Sequence, residues 1–121
     1  MKKIICVDVD GVLADYYEGW KGVDHFGRPL SKGRELLERL KTKYHVVIYT
    51  TRCNPEINKP ESAHLLARRV RRWLDENDLL YDEIHTGVGK PLASYYIDDK
   101  AIVIDQLEDE TYELACEKLG V

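Results

Sequence analysis

An α/β sandwich on a mainly parallel sheet is the fold class this sequence predicts, and three observations predict it. Short apolar runs rich in β-branched residues alternate with segments of helical periodicity. Each of the three clear apolar strand runs ends in polar residues of reactive type: Asp8 and Asp10, then Thr50, then Asp98 and Asp99. No repeat, low-complexity tract or linker interrupts the 121 residues, so one domain, 1–121, is expected.

The first element is Ile4-Ile5-Cys6-Val7, a continuous apolar run of the kind that forms a buried parallel strand. It runs into Asp8-Val9-Asp10-Gly11. Side chains two apart on a strand share a face, so Asp8 and Asp10 are expected to lean the same way. Gly11 then permits a sharp turn. Residues 16–30 hold Gly19, Gly22, Gly27 and Pro29 among Tyr16, Tyr17, Trp20 and Phe26, a density of breakers that predicts irregular chain. Its aromatics either line a cleft or seal one end of the core, and core sealing is the commoner use of such side chains.

Leu36, Leu37 and Leu40 give helical spacing from Ser31 to about Tyr44. His45 to Thr50 is a second buried strand, leading into Thr51 and Arg52. After a Pro/Asn loop, Pro60 suits the first turn of a helix. In that helix Ala63, Leu66, Ala67, Val70, Trp73 and Leu74 form one apolar stripe. Arg68, Arg69, Arg71 and Arg72 then form its wet face, with Asp75 and Glu76 a turn on. A short third strand is expected at 82–86, a turn at 87–91 and a fourth strand at 94–97. A short fifth strand at 101–104 and a last helix from about Leu107 to Leu119, stopped by Gly120, complete the series.

Composition narrows the function. Hydrophobic residues at 44% and charged ones at 33% describe a soluble globular chain, and a net charge of −4 disfavours nucleic acid as the main partner. A small phosphorylated substrate stays compatible, because a local site can be positive on an acidic protein. Cys6, Cys53 and Cys116 are odd in number and contain no C-x-x-C pair, which fits neither a disulfide framework nor a zinc site. A reducing, cytoplasmic location is expected, with no membrane span. The histidines show no metal-ligand spacing.

In parallel sheets, ligands sit beyond the carboxyl ends of the strands. The strand-end carboxylates are expected to converge there, and oxygen donors select a hard dication such as Mg²⁺ or Ca²⁺. A threonine hydroxyl and a lysine nearby suit phosphate oxygens. One aspartate can attack phosphorus while another moves a proton.

Asp8-Val9-Asp10-Gly11-Val12, Thr50 after a hydrophobic strand, Lys90, and Asp98-Asp99, in this order, resemble the four motifs of the haloacid dehalogenase (HAD) superfamily of phosphohydrolases. The resemblance spans most of the chain. It implies a three-layer Rossmann-like sandwich and a Mg²⁺-dependent phosphatase. Asp8 would be the nucleophile that becomes an aspartyl-phosphate. Asp10 would be the general acid and base, with its backbone carbonyl on the metal. Thr50 and Lys90 would hold phosphate, Asp98 would complete the metal site with Asp8 and Asp10, and Asp99 would support it. Thr51 and Arg52 are candidate substrate contacts, a solvated loop arginine being the plain alternative for Arg52.

Superfamily members usually carry a cap domain after the first or third strand. Neither position here has room for one, so the chain is similar to the cap-less branch. An open site, a large substrate or a lid from a second copy in a homo-oligomer then becomes the expectation. The opening Asp8 to Asp15 also resembles the start of 5′-deoxynucleotidases of the superfamily, without their cap. Two other classes compete. A phospho-accepting receiver domain uses similar residues, but its Thr and Lys-Pro follow the phosphoacceptor, an order this chain lacks. The presence of every expected polar group counts against a catalytically silent relative that only binds a phosphorylated ligand or a partner.

Overall fold

The computed structural model describes residues 1–87 and 89–121. The expected turn through residue 88 therefore falls partly outside the described residues. Four parallel strands form one sheet: β1 (Ile4–Val7), β2 (His45–Ile48), β3 (Glu83–Ile84) and β4 (Tyr95–Ile97), in the order β3-β2-β1-β4. Chain order thus runs outward from β1 through β2 to β3 and then returns to the other side of β1. The gap between β1 and β4 is the switch point, where a crevice opens at the carboxyl ends. This small α/β, Rossmann-like arrangement on an all-parallel sheet is the fold class that the sequence predicts. Among the described residues no domain is inserted between strands.

Parallel pairing buries both faces of the central strands, which is why β1 and β2 read as unbroken apolar runs. Ile5, Cys6 and Val7 of β1 and Val46, Val47 and Ile48 of β2 are all buried. Ile5 pairs with Val46 on one side and with Tyr95 on the other. The ladder continues one residue past the strands: Asp8 N donates to Ile97 O at 3.0 Å, and Tyr49 N to Val7 O at 3.0 Å. The outer strand β3 is shorter than expected because only Val47 and Ile48 face it.

Helix α1 (Ser31–Leu40) sets Leu37 into the core. It ends four residues earlier than the leucine spacing suggests, in a turn where the Thr42 hydroxyl donates to Arg39 O at 2.7 Å and Tyr44 N to Leu40 O at 2.8 Å. Helix α2 (Ala63–Glu76) buries the stripe Leu66, Ala67, Val70, Trp73 and Leu74 as its periodicity predicts. Its cap is Ser62, whose hydroxyl oxygen accepts from Leu65 N, so Pro60 lies before the helix and not in its first turn. On the wet face, Arg69 pairs with Asp24 at 2.8 Å and Glu61 at 3.1 Å, not with Asp75 or Glu76.

The C-terminal part departs from expectation. Residues 101–104 form no strand, and Ile102, Val103 and Ile104 are exposed. The backbone bends at Asp99 and Lys100 after β4, and the β-branched run that follows leaves the sheet. Helix α3 (Asp109–Leu119) begins two residues later than expected and buries none of its residues; Gly120 caps it with φ 72° as predicted.

The turn after Asp10 packs close to α1. A Cβ added to Gly33 on α1 would lie 2.7 Å from Val12 O and 3.0 Å from Leu13 Cα. Replacing a helical glycine by alanine ordinarily stabilises by up to about 1 kcal/mol. Here the backbone contact reverses the sign, and Gly33→Ala is expected to destabilise by ~1–3 kcal/mol, the usual cost of overpacking. Urea denaturation at fixed pH measures it, and a raised midpoint would contradict this packing.

Candidate active site

The carboxyl ends of β1 and β4 bring Asp8, Asp98 and Asp99 together, each offering one carboxylate oxygen within 4.8 Å of the others. Asp8 gets there because its own N–H is tied to Ile97 O, the last carbonyl of β4. One Asp8 oxygen accepts from Val9 N at 2.8 Å, which holds its side chain back toward the strand end. Past Val9 the chain folds tightly, with Val9 O accepting from Leu13 N and Ala14 N at 2.8 and 2.9 Å. Gly11 sits in this turn at φ 85°, a conformation costly for other residues. It also has Asp99 pressed against it: a Cβ there would lie 2.1 Å from Asp99 Oδ2. Gly11 therefore makes the space in which Asp99 joins the cluster.

Three carboxylates this close repel one another. Burial, followed by the charges of Asp98, Asp10 and Asp99, outweighs the Val9 hydrogen bond and pushes the Asp8 carboxyl up to about 7. The donors are all oxygens, and the charge they concentrate is what a hard dication neutralises, so Mg²⁺ or Ca²⁺ fits this set and zinc does not. Asp8 and Asp98 also line a cavity of about 250 Å³ with Lys90, Tyr49 and Tyr96. The Lys90 ammonium lies 4.1 Å from the Tyr96 ring centroid, a cation–π contact that positions it at this cavity.

Thr50 is buried immediately after β2, and its hydroxyl oxygen accepts from Arg52 N at 3.2 Å. The hydroxyl proton is then directed elsewhere, as a donor. Thr51 is exposed at the start of a 3₁₀ turn (Thr51–Cys53). Cys53 is buried and its thiol is pushed up to about 11 by that burial, which makes it inert.

Asp10 does not belong to the acidic cluster. Both of its oxygens are held by Arg52, Oδ2 by Nε at 2.7 Å and Oδ1 by Nη2 at 2.9 Å. It faces a second cavity of about 380 Å³, lined by Arg52 and by Asp15, Tyr16, Tyr17, Lys21 and His25 of the irregular tract. The two aspartates that strand geometry sets on one face thus diverge, because the chain leaves the ladder after Asp8 and folds into the turn at Gly11. Arg52 corrects a second expectation: it is 3% exposed and not a solvated loop residue. Its binding to Asp10 was not legible in the sequence, because a partner 42 positions away leaves no local spacing.

The tract itself serves both purposes considered for it. Phe26 stacks on Trp73 of the core with centroids 5.4 Å apart, while Tyr16 and Tyr17 line the second cavity.

No protein-family model matches this chain, and no curated protein sequence matches it. Solved structures do. A conserved protein from Bacteroides thetaiotaomicron is 21% identical with a TM-score of 0.54, covering 98% of this chain and 93% of its own. A structure from Vibrio cholerae is 24% identical with a TM-score of 0.53, covering 96% and 98%. Both are similar in fold over nearly their whole length. D,D-heptose 1,7-bisphosphate phosphatase from B. bronchiseptica, solved with magnesium and phosphate, is 19% identical at a TM-score of 0.42, with 98% of this chain and 64% of that one covered. No helix among the described residues is long and apolar enough to cross a membrane.

Because the folded protein holds a proton on Asp8 that the unfolded chain releases at lower pH, metal-free stability is expected to fall as pH rises from about 4 to about 7. The sign follows from a folded-state value above the unfolded one. Asp8→Asn should flatten that slope, and millimolar Mg²⁺ should raise the melting temperature of the natural protein most at about pH 8, where the cluster is fully charged. Melting curves across pH, with and without Mg²⁺, measure both effects.

Proposed function

We propose that this protein is a Mg²⁺-dependent phosphatase that hydrolyses a phosphate monoester through an aspartyl-phosphate on Asp8. The observation that carries the reading is the convergence of Asp8, Asp98 and Asp99 beside a cavity lined by Lys90, at the switch point of a HAD-like sheet. The order of the four motifs, which resembles that superfamily, supports it independently.

On this reading Asp8, Asp98 and Asp99 would hold the metal, which when bound offsets their charge and that of the phosphate oxygens. An Asp8 oxygen attacks phosphorus while the ester P–O bond breaks, and the leaving oxygen takes a proton from Asp10. Water then attacks the phosphoryl group and gives its proton back to Asp10, which frees inorganic phosphate and restores Asp8. Thr50 O–H and the Lys90 ammonium bind the equatorial oxygens, where charge concentrates during transfer. Asp10 enters the step protonated, on a lone-pair direction that the Arg52 fork leaves free, gives that proton to the leaving oxygen and takes one back from the attacking water. The absence of an inserted domain among the described residues leaves the tract 16–30 as the nearest substrate-facing element.

A panel of phosphorylated metabolites assayed with Mg²⁺ is expected to yield turnover that EDTA abolishes and added Mg²⁺ restores. Asp8→Asn should lower kcat by ~10³ or more, the scale seen when a nucleophile is removed. Full activity in Asp8→Asn, or turnover indifferent to EDTA, would overturn the reading.

A further inference from the structure

We infer that Arg52 is a positioning residue, not a substrate contact: it fixes the Asp10 carboxylate and ties the tract carrying Trp20 and Phe26 to it as a closed wall of the site. The role assigned to Asp10 rests on the reading above; the tie itself rests on geometry alone.

Six contacts converge on one guanidinium. Nε and Nη2 fork onto the two Asp10 oxygens at 2.7 and 2.9 Å. Nη2 also donates to His25 O at 2.7 Å, and Nη1 to Val23 O at 3.5 Å. The Arg52 carbon Cζ lies 3.9 Å from the Phe26 ring centroid and 4.8 Å from that of Trp20. Arginine alone supplies a planar fork for a carboxylate, further N–H groups for carbonyls and a flat face for aromatic rings.

The geometry argues against a substrate contact. Two of the guanidinium nitrogens are spent on Asp10 and the face is covered by rings, so a substrate anion would have to displace a bidentate pair. It argues for positioning because one side chain holds both the tract and Asp10, whereas the Arg69–Asp24 pair at 2.8 Å restrains the tract without reaching Asp10. Residues 16–27 are closed at their base by Asp15 N donating to Arg28 O at 2.9 Å and Leu30 N to Leu13 O at 2.8 Å. Between those bonds, Arg52 is what joins Val23, His25 and Asp10. Phe26 carries the same restraint into the core through Trp73.

The test compares Arg52→Ala and Arg52→Lys with the natural protein. On active enzyme, Arg52→Ala should lose ~10²-fold in kcat with KM changed less than about twofold, as expected for a misplaced proton-transfer group. Free guanidinium at millimolar concentration should restore part of kcat. A rise in KM at constant kcat would instead make Arg52 a substrate contact and overturn the proposal. The second readout needs no activity: trypsin cleavage after Lys21 should quicken at least about tenfold in Arg52→Lys, which keeps the charge but not the fork. Unchanged cleavage would overturn the tie. Should the Ala variant not fold, the Lys variant decides on both counts. A wild-type protein without turnover would remove the phosphatase reading, and the cleavage rates would still judge the tie.

Discussion

The acidic edge depends on one pairing, that of β1 with β4. Because β4 returns to the far side of β1 after the chain has laid down β2 and β3, Asp8 meets Asp98 and Asp99 of the remote C-terminal part at one end of the sheet. The hydrogen bond from Asp8 N to Ile97 O locks that meeting in register. One oxygen of each of three carboxylates is thereby brought within 4.8 Å of the others. The raised affinity of Asp8 for a proton comes first from its burial at this edge and then from the neighbouring carboxylates.

A second interaction organises the opposite wall. Asp10 is turned out of the cluster and neutralised by Arg52, which divides the strand-end aspartates into two electrostatic settings. Asp8 lies among like charges and Asp10 against a buried guanidinium. Environments that separate two carboxyls in this way commonly separate their chemical duties. The irregular tract is ordered by the same arginine, which explains how a stretch rich in glycine holds Trp20 and Phe26 in fixed places.

Parts of the fold were legible where burial on both sides leaves a plain imprint. β1 and β2 read as apolar runs because the sheet covers both their faces, and α2 read as a stripe because one face meets the core. The expectation failed where composition suggests a partner that the fold does not supply. Ala101 to Ile104 has the β-branched character of a strand, but the bend at Asp99 and Lys100 carries it off the sheet. The early end of α1 and the cap at Ser62 were set by single hydrogen bonds, from Thr42 to Arg39 O and from Leu65 N to Ser62, that periodicity does not register.

By itself, the sequence determined the alternation of strands and helices, the placement of Asp8, Thr50 and Asp98 at strand ends, and the donor chemistry those residues offer. These are local properties, readable from the character and spacing of neighbours. Only the tertiary structure decided which carboxylates meet and which are claimed by other partners. It drew Asp99 into the cluster through the space Gly11 leaves, and gave Asp10 to Arg52. Charge acts through distance in space, and distance in space between remote residues is fixed by strand order and turn geometry.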